Sequence, residues 1–205
     1  MKYRTNVLLA GVCLASGPPL DVHARERNDE LARRLILQPN SMTVVIGRPA
    51  RDEKMVELAA SVALRGPVDV LDAGNGFSAF EAARYVRRRT PRSAEVLGRI
   101  RVARAFTCYQ VLALLRATPS TPQPKIVLGL LSTFRDENVA IEESRRVLEA
   151  AVGELYRLKR EAAVAVSVAH LPQPSRRCLL DYLAGAADQV QCEEVAHAAP
   201  QARLF

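Results

Sequence analysis

The chain has 205 residues, 49% of them apolar and 25% charged. That balance belongs to a globular chain able to bury a core without disulfide or metal staples, and it excludes fibrous and fully disordered classes. The formal net charge is +7, with 25 Arg and four Lys against 22 acids, which suits a polyanionic partner without requiring one. No apolar run reaches the roughly 20 residues of a membrane-spanning helix, so no membrane partner is expected. At the N-terminus, Lys2 and Arg4 precede an apolar run over 7–15, and Val22-His23-Ala24 could pass for a cleavage site. That is the outline of a secretory signal. Gly17-Pro18-Pro19 breaks the run early, so a buried strand or docked arm is the preferred reading. Residues 25–37 carry Leu31, Leu35 and Ile36 at helical spacing, and Pro39-Asn40 stops that helix. Residues 1–41 thus read as a strand/helix arm, 42–195 as the core and 196–205 as a tail.

From Met42 the chain alternates. A β-branched run from Met42 to Ile46 ends at Gly47, and the spacing predicts a helix over 53–64. Gly66-Pro67 ends that helix, a strand follows over 68–71, then a Gly-rich turn and a helix over 78–89. Residues 99–106 read as a third strand, 110–116 as a short helix, and TPSTPQPK as a turn-rich linker. A fourth strand is expected over 126–131, apolar throughout. The longest helix is expected over 138–162, with Ile141, Leu148, Val152, Leu155 and Leu158 on one stripe. A fifth strand follows over 163–169 and a sixth over 188–194. Strands alternating with helices predict a three-layer α/β/α fold around a mostly parallel sheet, with ligands at the C-terminal ends of the strands.

Cys13, Cys108, Cys178 and Cys192 form no CxxC pair, and His23, His170 and His197 form no HxxxH pair. No metal site is expected, and free thiols fit a reducing, cytoplasmic setting.

Two strand-to-helix turns could carry chemistry. The first runs from Gly47 to Lys54 and Met55, where a phosphate-binding loop would sit. Such a loop needs small residues, a Lys for the β/γ-phosphates and a hydroxyl for Mg²⁺. Lys54 comes one residue late, Asp52 and Glu53 would repel phosphate, and Met55 cannot ligate magnesium. Without a nucleotide, this is an ordinary helix start with acidic dipole partners. The second turn holds Asp72, Gly74, Asn75 and Gly76. Its D-x-G-x-G pattern resembles the first motif of adenosylmethionine-dependent methyltransferases. Those enzymes usually place an acid after the next strand, and RIRVARAF followed by Thr107-Cys108 has none.

Taken together, the segments resemble the core ATPase domain of the RecA-like recombinase family. VLDAGNGFSAFEAARYVRR is similar to its second core strand, acidic turn and helix, and IRVARAFTCYQVLALL to the segment after it. ESRRVLEAAVGELYRLKREAAVAVSVAHL resembles the long helix and the strand before the DNA-facing loop, and LAGAADQVQCEE the closing strand. The resemblance covers about 42–195 and implies a RecA-like P-loop NTPase topology. It also implies where the chemistry is missing. The turn glutamate falls on Gly74 or Asn75, and the acid of the magnesium strand falls near Leu128, Gly129 or Leu130. The polar sensor falls on His170. Phosphoryl transfer depends on positioned charge and metal, so the resemblance implies a non-hydrolysing member with no cofactor. Such a member would bind a protein partner or another copy of itself, in DNA recombination or repair. Weak, sequence-independent nucleic acid binding is expected through Arg87, Arg88 and Arg89, with help from Arg176 and Arg177 at the end of the DNA-facing loop. Tyr182 reads as core, with base stacking as its alternative. The competing readings are a small methyltransferase using the turn at 72–76 and a ligand-free scaffold.

Overall fold

The structure, a computed structural model, describes residues 37–47, 53–169 and 176–192. Residues 1–36, 48–52, 170–175 and 193–205 lie outside the described residues, and with them most of the expected arm, the middle of the first candidate turn, His170, most of the expected DNA-facing loop and the expected tail.

The first half comprises β1 (Met42–Gly47), α1 (Glu53–Ala63), β2 (Val68–Asp72), α2 (Ala79–Arg87), α3 (Ser93–Leu97) and β3 (Ile100–Arg104). The second half comprises α4 (Cys108–Ala117), β4 (Lys125–Leu128), a 3₁₀ turn (Ser132–Arg135), α5 (Ile141–Lys159), β5 (Val164–Ala169), α6 (Arg177–Ala186) and β6 (Gln189–Cys192). The six strands form one sheet in the order β3-β2-β4-β5-β1-β6, parallel at every pairing.

The order follows from crossover handedness. Right-handed connections that step outward from β1 to β2 to β3 put α1, α2 and α3 on one face. Those that step back through β4 and β5 to β6 put α4, α5 and α6 on the other. Two apolar cores result. One joins Met55, Leu58, Ala82 and Val86 to Val70, Ile126 and Leu128. The other joins Val111, Leu115, Leu148, Leu155, Leu179 and Leu183 to Val44, Leu71, Val127 and Val166. Strands β2 and β4 are therefore buried throughout. The edge strands β3 and β6 are only half covered. The architecture is the expected three-layer α/β/α.

Local chemistry sets the boundaries. Ser78 caps α2 by accepting from the Glu81 N–H at 3.3 Å. Thr107 caps α4 by accepting from the Gln110 N–H at 3.2 Å, while Phe106 N–H donates to Gln110 Oε1 at 2.8 Å. The fourth strand is shorter than its apolar run. Gly129 takes φ +60° and turns the chain, so Leu130 and Leu131 are buried beyond the strand rather than in it. Helices α3 and α6 were not legible as periodic segments. Tyr182, expected in the core, lies on α6 and is 36% exposed.

Charged groups pin the N-terminal edge of the sheet. Lys125 is fully buried; its Nζ donates to Asp69 Oδ2 at 2.6 Å and to Thr121 Oγ1 at 2.7 Å. Arg101 Nε holds the other oxygen of Asp69 at 2.8 Å. Asp188 ties β6 to β1 and α5, accepting from the Met42 N–H at 2.7 Å and from Lys159 Nζ at 2.8 Å. Burial alone would raise the Asp188 carboxyl, but Lys159 and the Met42 N–H outweigh it and hold the pKa below the ordinary 3.8. A depressed carboxyl stabilises the fold above its unfolded pKa, and that contribution is lost as pH falls through the folded value. Asp188→Asn is therefore expected to be less stable than the parent at about pH 7, by about 1 kcal/mol or less for so exposed a pair. The gap should close as the pH falls below 3.8. Urea unfolding at the two pH values measures it, and an equal gap at both would assign the loss to packing.

Candidate functional site at the C-terminal edge of the sheet

Helices leave the neighbouring strands β2 and β4 on opposite faces, and a crevice at their C-terminal ends is where α/β sheets place ligands. At the end of β2, Asp72 is fully buried. Its carboxylate accepts from the Gly76 N–H at 2.9 Å, the Phe77 N–H at 3.2 Å and Arg104 Nε at 3.1 Å. Arg104 also donates to the Phe77 carbonyl at 3.1 Å. Asn75 sits at φ 53°, a conformation Asn tolerates. The turn is thus closed on its own aspartate.

Gly74 and Gly129 meet across the crevice. A Cβ on Gly129 would lie 2.8 Å from Gly74 Cα, and a Cβ on Gly74 would lie 3.1 Å from Gly129 Cα. Ser132 Oγ closes the same space, 2.9 Å from the Gly129 position and 3.1 Å from the Gly74 position. Ser167 Oγ accepts from the Gly129 N–H at 2.9 Å and fixes the turn to β5. Gly129 has no room for a side chain, and one on Gly74 would need its neighbours to give by a few tenths of an ångström.

Beside this contact lies a cleft of about 370 Å³. Ala73, Gly74 and Asn75 form one wall, Phe106, Thr107, Cys108 and Tyr109 a second, and Ser132, Thr133, Asp136 and Val139 the third. Phe106 is 67% exposed and Tyr109 50%. Tyr109 Oη donates to Glu143 Oε1 at 3.4 Å, and Glu143 pairs with Arg146 at 2.6 Å. Burial pushes the Cys108 thiol up; the N–H groups at the start of α4 counter it in part, and Asp136 and Glu143 add to the rise. Cys108 is therefore a protonated, packed thiol rather than a nucleophile. Burial and the Glu143 charge likewise raise the Tyr109 phenol.

The structure brings Asp72, Gly74, Asn75 and Gly76 together at this crevice and leaves Gly47 and Lys54 elsewhere. β1 stands three strands from β2, about 14 Å at ordinary strand spacing. The candidate arginines do not form one surface. Helices in such units run against the strands, so Arg87 and Arg88, exposed at the C-terminal end of α2, lie at the N-terminal edge of the sheet. Arg89 folds back, its guanidinium 3.5 Å from the Tyr85 ring centroid and Nη1 donating to the Tyr85 carbonyl at 3.2 Å. Arg176 and Arg177 lie at the opposite edge, where α6 begins. Arg176 is buried, and its guanidinium donates to the Phe134 carbonyl at 2.5 Å, the Asp136 and Val139 carbonyls at 2.8 Å, and Ser144 Oγ at 3.1 Å. It braces the loop from the 3₁₀ turn to α5, which leaves Arg177 as the exposed cation there.

The chain matches no family model and no curated protein. Among the described residues no group of three His, Cys, Asp or Glu could hold a metal ion, and no helix is long and apolar enough to cross a membrane.

Sequence reasoning missed Phe106, Tyr109, Asp136 and Glu143 as neighbours. An aromatic at the end of a predicted strand and another three residues on were the available signal. Of six exposed large apolar residues among those described, Phe80, Val102, Phe106 and Tyr109 belong to β3 or to the segments following β2 and β3.

Proposed function

We propose that the protein is a non-hydrolysing RecA-like protein that works by binding, docking a protein partner along β3 and the cleft at its end, in DNA recombination or repair. The contact between Gly74 and Gly129 carries the reading. The resemblance puts the water-activating glutamate at Gly74 or Asn75 and the magnesium-strand acid near Leu128, Gly129 or Leu130; none of these is an acid, and a side chain at residue 129 would be driven against the Gly74 backbone. The alternatives at Leu128 and Leu130 are fully buried among apolar side chains, where an acid would be desolvated without a partner. The docking part rests on β3, an edge strand whose outer N–H and C=O groups form no ladder with any described strand and whose surroundings carry most of the exposed large apolar residues among those described. Such an edge accepts an added strand. The methyltransferase reading loses ground because the Asp72 carboxylate is spent within its own turn. Arg104, moreover, stands where a ribose-binding acid would be needed.

Purified protein is expected to show no Mg²⁺-dependent ATP turnover above buffer. Each missing element alone slows such chemistry by orders of magnitude. Turnover that disappears in Lys54→Ala would overturn the reading.

A further inference from the structure

We propose that the cleft at the end of β3 is an anchor for an arginine side chain of an extended partner peptide. The inference rests on the docking reading above and adds the chemistry of the residue that is recognised. Two kinds of group meet at the cleft. Phe106 and Tyr109 present aromatic surface that is largely open to solvent. Asp136 lines the opposite wall, and Glu143 reaches the rim through Tyr109 Oη. Aromatic faces beside carboxylates favour a cation, and the planar guanidinium gains most because it can stack and pair at once. This local acidity stands out on a chain of net charge +7.

The carboxylates are available for it. Asp136 is exposed, and among the described residues its carboxylate takes the N–H and the side-chain amide of Asn138 on Oδ1, at 3.0 Å and 2.9 Å. Glu143 is held by Arg146, a surface pair whose Arg side chain is 78% exposed and which an incoming guanidinium can replace. The nearest buried cation, Arg176, spends its donors on backbone carbonyls and Ser144. Delivery follows from the topology. β3 runs directly into the Phe106–Tyr109 wall, so a partner strand paired to the edge that no described strand covers would bring alternate side chains toward the cleft mouth.

The test is selection of a phage-displayed random octapeptide library on the immobilised full chain. Enrichment of arginine at one position, flanked by β-branched or apolar residues at alternate positions, is expected. A synthetic peptide of the selected sequence should lose about tenfold in affinity when that arginine becomes norleucine. Asp136→Asn and Glu143→Gln, which keep the local hydrogen bonds, should remove the arginine preference, and Phe106→Ala should weaken binding without a core cost. Enriched peptides that show no basic preference, or a preference unchanged in Asp136→Asn, would overturn the anchor and leave the docking reading standing. No enrichment at all would overturn both.

Discussion

Replacing Asp69 by alanine is expected to destabilise the protein by about 3–5 kcal/mol, the usual cost of stranding one member of a buried pair. The partner left behind is Lys125, which is fully buried and would keep only Thr121 Oγ1 at 2.7 Å. An ammonium in that position cannot reach water, and the start of β4 must loosen to hydrate it. The reverse substitution is milder. Lys125→Met leaves Asp69 held by Arg101 at 2.8 Å with a side chain still 12% exposed. The two variants should therefore differ in urea midpoint at a similar m-value. A loss below about 1 kcal/mol in Asp69→Ala would mean that Lys125 has another way out of the core.

Gly129→Ala should rank next, at about 2–5 kcal/mol. Left-handed backbone costs an L-residue about 1–2 kcal/mol, and forcing a methyl against packed neighbours adds about 1–3 kcal/mol. Both apply, since Gly129 sits at φ +60° and its Cβ would stand 2.8 Å from the Gly74 backbone. Gly153 is the control of opposite sign. It lies in α5 with nothing within 4 Å of a built Cβ, so Gly153→Ala should stabilise by roughly 0.5–1 kcal/mol. For a chain of this size each kcal/mol moves the melting temperature by about 2–4 °C. Thermal melts that rank Gly129→Ala level with the parent would remove the steric argument from the site.

What could be read from the sequence was what local patterning encodes. The β-branched runs before Gly47 and after Pro67, and the stripe from Ile141 to Leu158, each announce an element and its buried face. The alternation of elements then leaves a parallel sheet as the natural solution. What stayed hidden depends on partners far along the chain. Lys125 ended a turn-rich linker with nothing local to mark it as buried, and its acid lies 56 residues earlier. Arg176 read as a phosphate contact, yet its acceptors lie 32 to 42 residues earlier. The arginines after α2 and those before α6 were grouped by charge, and only the antiparallel run of helix against strand puts them at opposite edges. At the site, the lack of an acid at residues 74, 75 and 128–130 was legible by position. That the two glycines touch was not, because a contact between strand ends is a property of the sheet order.

The Gly74–Gly129 contact also has an evolutionary consequence. A side chain gained at residue 74 meets the opposite backbone at 3.1 Å, and one gained at residue 129 must adopt the left-handed turn as well. Most chains run close to their stability threshold, so changes that cost stability at once are purged. The crevice thus acts as a ratchet on its two glycines. The exposed surfaces around it remain free to change, while the strand ends that meet there are held in place.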